Sequence, residues 1–197
     1  MVVICSMIYS IRPATHQDRD SILDITSRYQ FNINGDNNYT GTLIPLTTKK
    51  ISPLIDAEMF YVAMESDWND NGNVVGCVSL VDHGTTFELR SLAVREGYRK
   101  QDNGNSHLGS ALVYTILQKA EMMGADKVYV LARKDNQELI RFFKSHGFRY
   151  TDRWPEKLDN DCTDCLVRDF CMEDAMVADL RSSGNISYFS SDDRFYL

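Results

Sequence analysis

No run in this chain of 197 residues is long and apolar enough to read as a membrane span. The nearest is the opening MVVICSMIYSI, which is short and soon interrupted and has no basic stretch ahead of it. It is expected to lead into a first strand rather than to act as a signal peptide. Positive charge is also scarce: 21 Lys and Arg face 28 Asp and Glu, a formal net charge of -7. That balance argues against broad attraction to nucleic acid or to an anionic membrane, although a local basic pocket is still compatible with it. The five cysteines are an odd number with no secretory signal beside them, so a reducing compartment, the cytoplasm, is expected. There is no internal repeat. What the chain does have is 43% apolar residues, enough to bury one core without help from metal or disulfide, and a single domain is the default.

Along the chain, Tyr9 to Arg12 reads as a strand. Thr15 with Asp18 three positions on forms a capping-box start for a helix carrying Ile22, Ile25 and Tyr29 on one side. Residues 31–48 mix Asn, Gly and Thr with a few apolar anchors and read as a loop or covering segment. A short helix around Ile51 to Ile55 follows, then the strands FYVAM, VVGCVSL and FELRSLAV, separated by the turns DWNDNGN and DHGT. After this three-strand meander come a long helix, the strand KVYVLA at 127–132, a helix from Asn136 to Ser145 and a strand opening at Phe148. The predicted class is α/β (α+β), with a mixed, mostly antiparallel central sheet and helices on both faces. The tail at 181–197 is polar, rich in Ser and Asp, and is expected to be poorly ordered.

The stretch from Glu88 to Gly109 carries the strongest functional signal, because it passes from a strand through a polar, glycine-containing loop into a helix start. In that helix, Gly109 to Met123, the residues Leu112, Val113, Ile116, Leu117 and Ala120 share one face. A helix start has amides without intrahelical acceptors and the positive end of the macrodipole, and the loop feeding this one carries Arg99 and Lys100. Such a start is suited to a diphosphate, and a phosphate-bearing cofactor is the first hypothesis. An ordinary connection with a solvated basic loop stands beside it.

With LAVREGYR, the unit GSALVYTILQKAEMMGADKVYVL and DNQELIRFFKSHGF, residues 9 to 180 resemble the GNAT superfamily of acyl-CoA N-acyltransferases. The resemblance implies one acetyltransferase domain over 1–180, with a cysteine-containing segment at 158–176, and acetyl-CoA as co-substrate. It implies that Leu92, Ala93 and Val94 lend backbone groups to the pantetheine arm at a bulge in their strand. Arg99, Lys100, Gln101, His107, Gly109 and Ser110 would surround the diphosphate, with Asn136 and Phe143 also on the cofactor side. The superfamily's compact Arg-x-x-Gly-x-Gly/Ala loop is stretched here, so that His107 takes the first glycine position when Gly109 is the anchor.

Within the superfamily, GTLIPLT, FELRSLAVREGYR, WPEKLDNDC and EDAMVADL, the last as a final strand, look like short N-acetylglutamate synthases and related amino-acid acetyltransferases. That likeness implies a free amino acid, L-glutamate first, as acceptor and a place at the entry to arginine synthesis. It departs from the pattern at Leu46, where the family often has a basic residue; Lys49 or Lys50 could compensate.

An amine is protonated at neutral pH and must lose a proton before it can attack a thioester. Glu88, on the strand beside the expected acetyl position, is the candidate catalytic carboxylate, with a structural salt bridge as the plain alternative. An amide near Leu92 to Val94 would stabilise the oxyanion. Phe143 stands where many members have a tyrosine acid, so no general acid is assigned. Arg90, on Glu88's side of the strand at i+2, and Lys157 in WPEK are the candidates for holding acceptor carboxylates, with Arg153 and Arg168 as weaker ones.

No metal is assigned. A zinc site at Cys162, Cys165 and Cys171, with Asp161, Glu173 or His146 as fourth ligand, is the lesser reading of that segment. Cys77 reads as a small apolar strand residue, and His16, His83 and His146 have no evident catalytic neighbour. With no cysteine beside the expected acetyl position, direct transfer is expected. The partners expected are a small amine or amino acid, no nucleic acid and no membrane, with a homodimer in keeping with the superfamily's habit. Two alternatives remain: a different acceptor (another amino acid, a polyamine, a drug or a protein N-terminus), or a non-catalytic protein that binds coenzyme A or a protein partner.

Overall fold

The computed structural model describes residues 9–29, 32–34, 38–40, 46–65, 72–84, 86–99, 107–152 and 173–180. The first half of the chain provides β1 (Tyr9–Pro13), a 3-10 turn (His16–Asp18), α1 (Arg19–Ser27), β2 (Asn32–Asn34), β3 (Asn38–Thr40), α2 (Thr48–Asp56), β4 (Phe60–Glu65), β5 (Val74–Asp82) and β6 (Phe87–Val94). There follow α3 (Leu108–Met122), β7 (Lys127–Arg133), α4 (Gln137–Ser145), β8 (Arg149–Tyr150) and β9 (Glu173–Asp179). Seven strands join in the order β1-β4-β5-β6-β7-β9-β8, while β2 and β3 form a separate ribbon inside the stretch expected to be a loop. The β6-β7 pair is parallel, and β1-β4, β4-β5, β7-β9 and β8-β9 are antiparallel, so the sheet is mixed and mostly antiparallel as predicted. Among the described residues no helix is long and apolar enough to cross a membrane.

The described residues divide into two compact units, one formed by those up to Ser79 with Ser91–Thr115, the other by Leu80–Arg90 and those from Ile116 to Leu180. In the first unit, Ile22 and Ile25 of α1 and Ile51 and Ile55 of α2 pack with Phe60, Val62, Val74, Cys77 and Ala93. Cys77 therefore faces α1 and α2, and its neighbour Gly76 must face the other way, toward the start of α3. A Cβ built on Gly76 would meet Leu112 Cδ1 at 3.1 Å and Leu108 Cδ2 at 3.5 Å, so the helix rests directly on bare backbone. Helices thus cover both faces of this unit's strands.

The Thr15–Asp18 capping box forms as read, but it opens a 3-10 turn, and α1 begins only at Arg19. Asp18 Oδ2 accepts from the Thr15 amide at 2.7 Å, and the Arg12 guanidinium grips both carboxylate oxygens at 2.8 and 2.9 Å. Burial alone would raise the Asp18 carboxyl, but the Arg12 and Thr15 donors outweigh it and hold it below the ordinary carboxylate value.

The predicted stripe of α3 is the one that is buried: Leu112, Val113, Ile116, Leu117 and Ala120, joined by Leu108. The helix starts at Leu108, one residue before the position read from sequence. It ends on Gly124, whose φ of 82° lets the Ala125 amide fold back to the Ala120 carbonyl at 2.9 Å.

In the second unit β9 pairs with the whole of β7, from Lys127↔Asp179 to Arg133↔Glu173, and β8 lies outside it. The expected final strand, EDAMVADL, is β9, and it lies between the two strands of the β-α-β reading. Ile140, Phe143 and Phe148 are buried, with the rings of Phe143 and Phe148 5.4 Å apart.

Candidate active site

Strand β6 breaks its regular geometry at Ser91, which is buried and has a φ of 55°. A side-chain-bearing residue in that region costs about 1–2 kcal/mol, so its surroundings must hold it there. Cys77 of β5 is one such hold. Its Sγ lies 3.5 Å from the Ser91 carbonyl oxygen, and the Ala93 amide donates back to the same sulfur. The thiol is fully buried, and burial pushes it up to about 12, so it stays protonated and is not a nucleophile at neutral pH. Sequence reading placed no cysteine beside this strand segment. The fold brings one there, and its protonated state still leaves no acyl-enzyme route through it.

Beyond the break, the Val94 carbonyl accepts from the Tyr29 hydroxyl at 3.0 Å and from Arg99 Nε at 3.2 Å. Arg99 also bonds the Tyr29 hydroxyl and stacks over its ring at 4.5 Å. The turn after β6 is pinned further by Arg95 to Asp24 at 3.0 Å and by the Tyr98 hydroxyl to Glu65 Oε2 at 2.7 Å. At the helix start the Ala111 amide donates to the His107 carbonyl at 2.9 Å, so the amides of Gly109 and Ser110 precede the first helical bond. Ala93's carbonyl oxygen would lie 3.3 Å from a Cβ on Gly76, which brings the strand end and the helix start together over one glycine. Leu92, Ala93, Val94, Arg99, His107, Gly109 and Ser110 all belong to this first unit. Lys100 and Gln101 lie outside the described residues.

In the second unit β6 pairs with β7 only at Phe87, Glu88 and Leu89, opposite Val128, Tyr129 and Val130. Glu88, 2% exposed, holds two partners on one oxygen: His83 Nε2 at 2.9 Å and Arg90 NH2 at 2.6 Å. Arg90 is where i+2 spacing put it, on Glu88's side of the strand, but its guanidinium is directed to that carboxylate. Sequence reading missed His83. The turn after β5 brings it in, with the Gly84 amide bonded to Asp82 Oδ1 at 2.6 Å and the His83 amide to the Thr86 carbonyl at 2.8 Å. The DHGT turn was legible, and a hairpin closed there folds residue 83 back toward the start of β6.

The other predicted residues have structural duties or lie outside the described residues. Asn136 caps α4, its Oδ1 accepting from the Leu139 amide at 3.0 Å. Phe143 is buried against Phe142 and Phe148. His146 Nδ1 bonds the Phe142 carbonyl at 2.7 Å and its ring packs on Phe142. Lys157, Arg153, Arg168, Asp161 and the cysteines at 162, 165 and 171 lie outside the described residues, and of Glu173 only the backbone is described.

Residues 30–148 match the family model described as the Acetyltransferase (GNAT) family. An uncharacterised N-acetyltransferase of Chlorobaculum tepidum is 34% identical over 116 residues, which cover 55% of this chain and 66% of that protein. N-acetylglutamate synthase from Neisseria gonorrhoeae, complexed with coenzyme A and N-acetyl-glutamate, superposes with a TM-score of 0.65 at 20% identity. That superposition covers 87% of this chain and 35% of the synthase, so the chain spans about a third of that protein's length. A Mycobacterium tuberculosis protein in complex with CoA and NLQ gives a TM-score of 0.61 at 22% identity, over 86% of this chain and 98% of that one. At these identities the two superpositions show a shared fold.

Proposed function

Because the chain belongs to the acetyltransferase (GNAT) family, we propose that it moves the acetyl group of acetyl-CoA onto the α-amine of a free amino acid, with L-glutamate the first acceptor. The observation that carries this reading lies in one strand: β6 holds a buried, charge-paired carboxylate at Glu88 and, three residues on, the left-handed Ser91. An ion pair kept only for stability has no need of a strained backbone beside it, whereas an acyl-transfer strand needs both a proton-handling group and displaced amides. Acetyl-CoA as co-substrate draws support from the family and from the two neighbours solved with coenzyme A.

On this reading the backbone of Leu92 to Val94 lies along the pantetheine arm and supplies the oxyanion donor. His107 and the amides of Gly109 and Ser110 take the diphosphate. The acceptor amine loses its proton toward the Glu88 cluster and attacks the thioester directly. Glutamate draws support from the likeness to the Neisseria synthase and would set the reaction at the entry to arginine synthesis. A second reading, the same transfer to a different amine, draws on Arg90, because a guanidinium paired to Glu88 at 2.6 Å is partly spent before any acceptor carboxylate arrives.

A screen of amines with acetyl-CoA, following thiol release, tests both. Glutamate-dependent release supports the first reading, and release only with other amines supports the second. Coenzyme A binding without release across the whole panel would remove the catalytic reading.

A further inference from the structure

We infer that His83 is the group that takes the proton from the incoming amine, with Glu88 fixing its tautomer and Arg90 holding the Glu88 carboxylate in place. This rests on the acetyl-transfer reading above and assigns roles within the cluster that the reading left undivided. Glu88 is 2% exposed, and its Oε2 already accepts from Arg90 at 2.6 Å and meets His83 Nε2 at 2.9 Å. A guanidinium at that distance stabilises the carboxylate, and an ionised carboxylate can only accept hydrogen bonds. Nε2 of His83 must therefore carry the proton, which leaves the lone pair on Nδ1. Among the described residues Nδ1 has no hydrogen-bond partner, and the His83 side chain keeps 14% of its surface exposed. A carboxylate that is buried and doubly engaged is poorly placed to meet a substrate. The imidazole in front of it is the cluster's accessible base, and the carboxylate behind it stabilises the imidazolium that forms.

The charged and titratable groups around His83 agree with this division. Asp82 is turned to the Gly84 amide, Glu88 and Arg90 come from β6, and Tyr129 lies opposite Glu88 on β7. The ammonium gives one proton to Nδ1. The amine nitrogen then bonds to the thioester carbon, and the carbon–sulfur bond breaks as the tetrahedral intermediate collapses. The second amine proton goes to the departing thiolate to give coenzyme A as thiol, and the imidazolium returns its proton to solvent.

His83→Gln tests the assignment, since the Gln amide can still donate to Glu88 but offers no base. With an acceptor found by the screen, kcat/KM is expected to fall by about 100-fold or more, and the acid limb of its pH profile to disappear. The KM for acetyl-CoA and calorimetric binding of coenzyme A should stay at wild-type values. Retained turnover, or a fall in turnover with the acid limb still in place, overturns the assignment, because either shows that His83 only positions its neighbours. If the Gln protein does not fold, His83→Asn takes its place with the same two outcomes. A wild-type protein that acetylates no amine points instead to failure of the acetyl-transfer reading itself.

Discussion

Sγ of Cys77 lies 3.5 Å from the carbonyl oxygen of Ser91 and accepts from the Ala93 amide, so one side chain of β5 spans the strained point of β6 from both sides. Replacing it with alanine removes both bonds and opens a small void in a filled core. Cys77→Ala should cost about 1–2 kcal/mol in a urea melt. On the proposed role of Leu92 to Val94 it should also weaken coenzyme A binding severalfold. Unchanged affinity in calorimetry would show that Ser91 is held by other means. Because burial pushes this thiol up to about 12, mass mapping after alkylation should find it unmodified in the native protein and modified once unfolded.

Gly76 has the opposite role on the other face, where emptiness is what matters. A Cβ there would sit 3.1 Å from Leu112 Cδ1 and 3.3 Å from the Ala93 carbonyl oxygen, both closer than comfortable contact. Gly76→Ala asks those groups to yield by a few tenths of an ångström. Gly76→Val adds two further carbons and should destabilise by about 1–3 kcal/mol while displacing the start of α3. A Val variant with wild-type melting temperature and coenzyme A affinity would sink the view that this glycine sets the helix's approach.

Arg99 offers a way to separate contact with the cofactor from support of the strand. Its Nε donates to the Val94 carbonyl at 3.2 Å and its plane lies over Tyr29, so it braces the end of β6. Arg99→Ala should weaken coenzyme A and the phosphate-free fragment acetyl-pantetheine by similar factors, about 3- to 10-fold for the loss of one or two such bonds. A loss confined to coenzyme A would assign Arg99 to the diphosphate instead.

The parts of the molecule legible in its sequence are those where a single element shows its own period. Leu112, Val113, Ile116, Leu117 and Ala120 repeat at helical spacing, and they are the buried face of α3. Glu88 and Arg90 sit two apart in a strand and do lie on one side. What escaped depends on contacts between elements. His83 gains its meaning only when the DHGT turn folds it back to Glu88. Cys77 reads as apolar until its partner is seen to be a distorted backbone, and Ser91 carries no glycine to announce its positive φ. The place of β9 between β7 and β8 is a choice of long-range pairing that no local pattern records. Lys157, a candidate for holding the acceptor, and the cysteines at 162, 165 and 171, for which zinc is the lesser reading, lie outside the described residues.

Asp18 gives a prediction whose sign can be worked out. Burial acts to raise its carboxyl, but the Arg12 and Thr15 donors prevail and the folded value lies below the unfolded one. A depressed acid stabilises the fold at every pH above its unfolded value of about 4, and that contribution is lost as pH falls through the lower, folded value. Arg12 is 39% exposed, so solvent screens the ion pair, and much of the effect comes from the Thr15 amide and from the cost of burying the carboxylate. Asp18→Asn should therefore cost about 1–3 kcal/mol near neutral pH. In paired urea melts the gap to wild type should narrow steadily as the pH is lowered to about 3. A gap that holds constant or widens on acidification would mean that the Asp18 charge is not what fastens the start of α1.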